Sequence, residues 1–215
     1  MRALVLGASG GIGAALVAAL QGRGAEVTGL SRSRDGFDVT DPDAAARGLE
    51  GRGTFDLVLL AFGILGAAPE KALAQIDAGE MARVMAVDAV GVGTVLSHVP
   101  DLLDRDGAGK VGVLTARVGS IGDNRIGGWH SYRAAKAAAN MLVRGAAIEL
   151  ARSHKGATCV ALHPGTVETP FTAGYPGHRK VSAAEAAGNL LDVLKGLGPE
   201  RSGGFYDYAG KEIPW

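Results

Sequence analysis

The 215-residue sequence predicts an α/β fold, a single domain over residues 1–215 built on a doubly wound parallel sheet of about seven strands with helices on both faces. Three observations predict it. Short apolar runs of strand length alternate with longer helical stretches along the whole chain. The runs are apolar without interruption, as strands are when helices cover both of their faces. A glycine-rich turn joins the first run to the first helix, at the carboxyl end of a strand, where sheets of this kind bind ligands.

The elements follow in order. Residues 3–6 are a buried strand ended by Gly7, and residues 12–20 an apolar, alanine-rich helix. Residues 26–30 form the second strand. Residues 42–49 suit a short helix with Asp41 as its cap and Pro42 in its first turn. A third strand spans 56–61, and two helices fill 75–88 and 90–103. Residues 110–116 are a strand, 132–152 a long helix, and 157–163 a strand ended by Pro164-Gly165. A helix over 183–197 and a strand over 204–208 complete the chain. The 34 glycines are dispersed between apolar runs, and no repeat or linker divides the sequence.

Composition narrows the classes of function. Hydrophobic residues make up 47%, as in a soluble globular protein. Twenty-two basic and 22 acidic residues cancel, and no basic run stands out, which argues against nucleic acid as a partner. No stretch of 18 apolar residues reads as a membrane span. The chain enters a strand at once with no signal segment before it, so a cytoplasmic location is expected. The single cysteine, Cys159, falls in an apolar run and is expected to be a small buried core residue. His98, His130, His154, His163 and His178 are scattered, and no metal-ligand cluster is expected.

Two motifs carry chemistry. Gly7-Ala8-Ser9-Gly10-Gly11-Ile12-Gly13 stands between the first strand and the first helix, where glycines let a pyrophosphate approach the backbone at a helix N-terminus. Its glycines at 7, 11 and 13 depart from the spacing G-x-G-x-x-G. The second strand ends in Ser31-Arg32-Ser33-Arg34, with no acid at the strand end to accept ribose hydroxyls and two arginines to neutralise a 2′-phosphate. NADP(H) is therefore expected before NAD(H). The second motif is Tyr132 with Lys136, one helical turn apart and so on one helix face. An ammonium beside a phenol favours the phenolate and brings it toward the working range of an acid-base catalyst.

The loop, the Tyr132/Lys136 pair and their separation together resemble the short-chain dehydrogenase/reductase family over essentially the whole chain. Asp38-Val39 is similar to that family's adenine-contacting pair. Ala61-Phe62-Gly63 stands in the place of its Asn-Ala-Gly motif, with Phe62 a departure. Pro164-Gly165, followed by Thr166, Val167 and Thr169, looks like the segment that holds the nicotinamide amide. The stretch from Arg117 to Asn124, then Gly127-Gly128-Trp129 and the ending Gly203-Gly204-Phe205-Tyr206-Asp207, resembles a narrower group, C-factor-like proteins and sniffer-type carbonyl reductases.

The resemblance implies a Rossmann fold and an oxidoreductase. Tyr132 would be the general acid in carbonyl reduction, and Lys136 would lower its pKa and bind the nicotinamide ribose. Two further positions depart from the family. Its usual serine is replaced by Ala116, for which Ser120 is the favoured substitute and the adjacent Thr115 the other. Asp88 stands where an asparagine is common and could pair with Lys136. The expected activity is NADPH-dependent reduction of a small aldehyde, ketone or quinone in a pocket lined by Ile121, Trp129, His130 and Phe171. The alternative is an NADP(H)-binding signalling or regulatory protein with weakened catalysis. The long helix carries apolar residues on several faces and is expected to serve a homodimer or homotetramer interface.

Overall fold

The structure is a computed structural model and describes residues 1–172, 174 and 180–215; His178 lies outside the described residues. Six strands form one sheet: β1 Arg2–Leu6, β2 Glu26–Leu30, β3 Leu57–Leu60, β4 Lys110–Leu114, β5 Thr158–His163 and β6 Phe205–Asp207. Their order across the sheet is β2-β1-β3-β4-β5-β6, and every pairing is parallel. Chain direction across the sheet therefore reverses at β1, which opens a crevice beyond the carboxyl ends of β1 and β3.

The helices are α1 Gly11–Gly22, α2 Arg32–Asp35, α3 Pro42–Leu49, α4 Ala78–Met85, α5 Gly91–Leu96, α6 Val99–Leu102, α7 His130–Ser153 and α8 Ala183–Gly196. Side chains of a strand alternate between faces, and two apolar cores result. Leu4, Leu6, Val58, Leu60, Val111 and Val113 face Val92, Val95, Val143, Ala147 and Leu150 of α5 and α7. Ala3, Val5, Leu57, Leu59, Val160 and Leu162 face Leu16 and Leu20 of α1 and Leu190, Leu191 and Leu194 of α8. Gly112 lets that second layer close down: a Cβ there would lie 2.9–3.0 Å from Leu59, Leu162 and Leu194. Lys110 Nζ donates to the carbonyls of Leu194, Lys195 and Leu197 and so closes the C-terminus of α8. Cys159 is fully buried in the α5/α7 core, and burial pushes its thiol up to about 12.

Several expectations need correction. About seven strands were expected and six form. The six are those placed one by one in the sequence, and between α2 and α3 the chain runs outside helix over residues 36–41, turned by the left-handed Gly36 and by Thr40 donating to Asp38. The helix expected over 75–88 begins only at Ala78, where Asp77 caps it by accepting from Glu80 N, and it continues past Met85 through a π-helical turn over Ala86–Val90 into α5. The helix expected over 90–103 breaks between Leu96 and Val99. Asp41 caps α3 as expected, accepting from Asp43 N and Ala44 N.

Candidate active site

The turn after β1 is built on close approach. Gly7 is left-handed (φ 91°), and a Cβ on it would sit 2.6 Å from the carbonyl oxygen of Ala61. A Cβ on Gly13 would sit 2.1 Å from the Gly7 carbonyl, which is why α1 packs so tightly on the turn. Gly10 opens α1 with no side chain to cap its first N–H groups, which leaves that end suited to an anion.

Two cavities meet along this turn. One, about 260 Å³, is lined by Gly7, Ser9 and Gly10, by Ser31 and Arg32, by Asp38 and Val39, and by Ala61, Phe62 and Gly63. Thr40 N and Oγ1 and the nearby Arg32 charge hold the Asp38 carboxyl below its usual range. Arg34 is exposed and is not among the lining residues. An acid does stand at the end of β2: Asp35 Oδ2 accepts from Ser31 N at 2.8 Å and Ser31 Oγ at 3.1 Å. It lies four residues on in sequence and turns back through α2, which the strand-end pattern alone did not reveal.

The other cavity, about 380 Å³, shares Ser9, Gly10 and Ala61–Gly63 with the first and continues past Gly11 and Ile12 to Ala116, Tyr132, Lys136, Pro164, Gly165, Val167, Thr169 and Phe171. Gly11 packs on Thr169, where a Cβ would meet its methyl at 2.6 Å. Thr166 does not line it; its carbonyl accepts from Val181 N.

Tyr132 and Lys136 share one face of α7 and are both buried. Lys136 Nζ lies 5.5 Å from the Tyr132 ring centroid, 3.2 Å from Asp88 Oδ2 and 3.4 Å from the Leu114 carbonyl. Asp88 is wholly buried, and its other oxygen accepts from Ile64 N at 2.8 Å. Gly63 makes room for this ion pair: a Cβ there would come within 3.0 Å of Nζ and 3.2 Å of Asp88 Oδ1. Burial pushes the Asp88 carboxyl up, against the pull of Lys136. Burial, and then the Asp88 charge, raise the Tyr132 phenol well above its usual range. The expected lowering by Lys136 is thus offset, because the ammonium is already paired with a carboxylate.

Ser120 does not meet its expectation. Its Oγ donates to the Pro214 carbonyl at 2.5 Å and accepts from Asp123 N at 3.0 Å, and the residue is not among those lining the cavity. Ala116 lines the cavity with no hydroxyl to offer. Thr115 lines it too, with a buried Oγ1 that has no hydrogen-bond partner. His163, at the end of β5, lines the same cavity with an unpartnered Nδ1, and burial, reinforced by Arg117 and opposed by Asp207, lowers its pKa to about 4. His163 closes the strand before Pro164-Gly165, a position the pattern could have flagged as one reaching the site. Of the expected substrate-pocket residues, Phe171 lines the cavity and packs on Tyr132 at 5.9 Å between ring centroids. Trp129 packs edge-on to Tyr132 at 6.2 Å, Ile121 is 78% exposed, and His130 does not line the cavity. No cluster of metal-ligating side chains occurs among the described residues.

Comparison with known proteins bears on this arrangement. The family model described as enoyl-(acyl carrier protein) reductase matches residues 36–194, which include Tyr132, Lys136 and the Pro164-Gly165 segment. The chain belongs to the short-chain dehydrogenase/reductase family. It is therefore an oxidoreductase by family. Among curated relatives, the C-signal protein of Myxococcus xanthus is 38% identical over 144 residues, 67% of this chain and 84% of that one. The 1-hydroxy-2-glutathionyl-2-methyl-3-butene dehydrogenase of Rhodococcus sp. (strain AD45) is 34% identical over 99% of this chain and 98% of its own. Among solved structures, a short-chain dehydrogenase/reductase from Burkholderia multivorans with bound NADP superposes with a TM-score of 0.81 at 25% identity, over 100% of this chain and 99% of that one. The NADPH-bound carbonyl reductase from chicken fatty liver shares the fold, with a TM-score of 0.83 at 23% identity over 100% and 98%.

Proposed function

We propose that this short-chain dehydrogenase/reductase reduces a small carbonyl compound, an aldehyde, ketone or quinone, with NADPH. The observation that carries this reading is one groove in which the bare N-terminus of α1, Arg32 and the Tyr132/Lys136 face of α7 follow one another. The groove fits a dinucleotide phosphate. Gly10 and Gly11 present backbone to it, Arg32 supplies a cation beside Ser31 and Ser33 for a 2′-phosphate, and Asp38 and Val39 flank the far end. When bound, the nicotinamide supplies the hydride.

The chain's own part is orientation and proton transfer. Phe171 and Ala116 leave an apolar space against the Tyr132 phenol for a carbonyl compound. Tyr132 Oη donates its proton to the carbonyl oxygen as charge develops there. Burial keeps the phenol in its protonated form, the form that a general acid needs. With no hydroxyl on Ala116, the Thr115 Oγ1 is the unpartnered hydroxyl left in the cavity lining beside the phenol.

The test is NADPH and NADH oxidation by the purified protein over aldehydes, ketones and quinones, with Tyr132→Phe alongside. NADPH-dependent turnover is expected, falling 10²-fold or more in the variant, on the order of one lost acid catalyst. Undiminished turnover in Tyr132→Phe refutes the catalytic assignment.

A second reading has specific support: an NADP(H)-binding protein with a signalling output. Ala116 removes a hydroxyl, Asp88 neutralises Lys136, and C-signal is among the relatives. Tight NADPH binding with no turnover across the panel favours it.

A further inference from the structure

Helix α7 begins without a cap of its own. Its first residue is preceded by Gly127, Gly128 and Trp129, all left-handed at φ 70°, 66° and 51°. A tryptophan there is unusual, since Cβ crowds the backbone in that region and such a residue persists only where its surroundings hold it. Trp129 is also the N-cap position and makes no side-chain capping bond.

The surroundings that hold it come from the loop after Gly63. The Glu70 carbonyl accepts from Trp129 N at 2.5 Å. Both Glu70 carboxylate oxygens accept from Ser131 N at 3.3 Å, and Oε1 also accepts from Ser131 Oγ. Gly128 fits against the same backbone, where a Cβ would lie 3.2 Å from the Glu70 carbonyl oxygen. Glu70 is only 7% exposed. Burial disfavours its charge, yet the Ser131 bonds prevail and hold the carboxyl below its usual range. An anion at a helix N-terminus is favoured by both the free N–H groups and the helix dipole.

We infer that Glu70 is a positioning residue for Tyr132: its carboxylate, 61 residues upstream of Ser131, caps α7 and fixes the turn from which the phenol projects. Tyr132 is the residue after Ser131, and its ring meets the Trp129 ring edge-on. The same contact fastens the start of α7 to the loop that leaves Gly63, beside Lys136 and Asp88. Loosening it displaces the acid relative to the rest of the groove, and small misplacements of a catalytic group cost rate steeply.

The kinetic part of the test rests on the reductase reading; the spectroscopic part does not. Glu70→Ala, Glu70→Gln and Ser131→Ala are made in the full chain, each also in a Trp215→Phe background that leaves Trp129 as the sole tryptophan. Glu70→Ala is expected to lower kcat about tenfold or more while the KM for NADPH stays within about twofold. Glu70→Gln, whose amide oxygen still accepts from Ser131, recovers part of the loss, and Ser131→Ala falls between. Acrylamide quenching of Trp129 rises in the same order. If Glu70→Ala does not fold, the other two variants carry the comparison. Unchanged kcat with a lowered Tm overturns the inference and makes Glu70 a cap only; unchanged quenching overturns it as well. A wild type with no turnover defeats the reductase reading instead, and quenching alone then decides whether the clamp exists.

Discussion

At the scale of single residues, Asp88 and Ala116 set the character of the site. Asp88 holds Lys136 in a buried ion pair and adds its charge to the burial that keeps Tyr132 protonated. Removing that charge in Asp88→Asn favours the phenolate, because an anion nearby opposes ionisation of a second acid. The pH–rate profile of alcohol oxidation by the variant is therefore expected to move to lower pH, with a severalfold gain near neutrality read in kcat. A profile that does not move assigns the raised phenol to burial alone. Ala116→Ser returns a hydroxyl to the cavity wall and is expected to raise kcat/KM about tenfold or more, below the 10²–10³-fold that one well-placed oxyanion donor is worth. The Tyr132/Lys136 pair was legible because one helical turn fixes their common face. The role of Ser120 was not: its distance from Tyr132 along the chain says nothing of Pro214, whose carbonyl binds its hydroxyl from the far end of the sequence.

At the scale of elements, legibility follows where a boundary's causes lie. Helix α3 could be read to the residue because its stop signs are local: Asp41 accepts from the next two N–H groups it can reach and Pro42 fixes the first turn. Asp41→Ala is expected to cost about 1 kcal/mol of stability, measured as a fall in the urea midpoint at unchanged m-value. The start of α7 was misplaced by two residues because its cap comes from Glu70, which no local pattern marks. The π-helical turn at Ala86–Val90 was equally hidden, since an apolar helix reads the same with or without one extra residue in a turn. That turn carries Asp88, so the irregularity sits where the chemistry is. Beyond Thr172 only Gly174 and residues from Lys180 onward are described, and Val181 pairs back to Val167.

At the scale of the whole molecule, fold class came through the alternation of apolar runs with helices, and each of the six runs read as strands lies in the sheet. One global prediction belongs to His163. Burial keeps it neutral when folded, with a pKa lowered from 6.5 to about 4. Between those two values the unfolded chain binds a proton that the folded chain refuses, so stability rises with pH across that window. Denaturation midpoints are expected to fall on acidification from about pH 6.5 to 4, by at most about 3 kcal/mol, since solvent reaches part of the ring. His163→Gln should flatten that slope; an equal slope in the variant places the dependence elsewhere. The strand order has a consequence for how the chain is made. Strand β1 emerges first and pairs with β2, then takes β3 on its other side, and β4, β5 and β6 each dock on the strand that came just before. The sheet can thus be laid down outward in the order of synthesis, with one growing edge exposed at a time. A ribosome that pauses before β5 would hold open the edge of β4, where Val111 and Val113 wait for their partners.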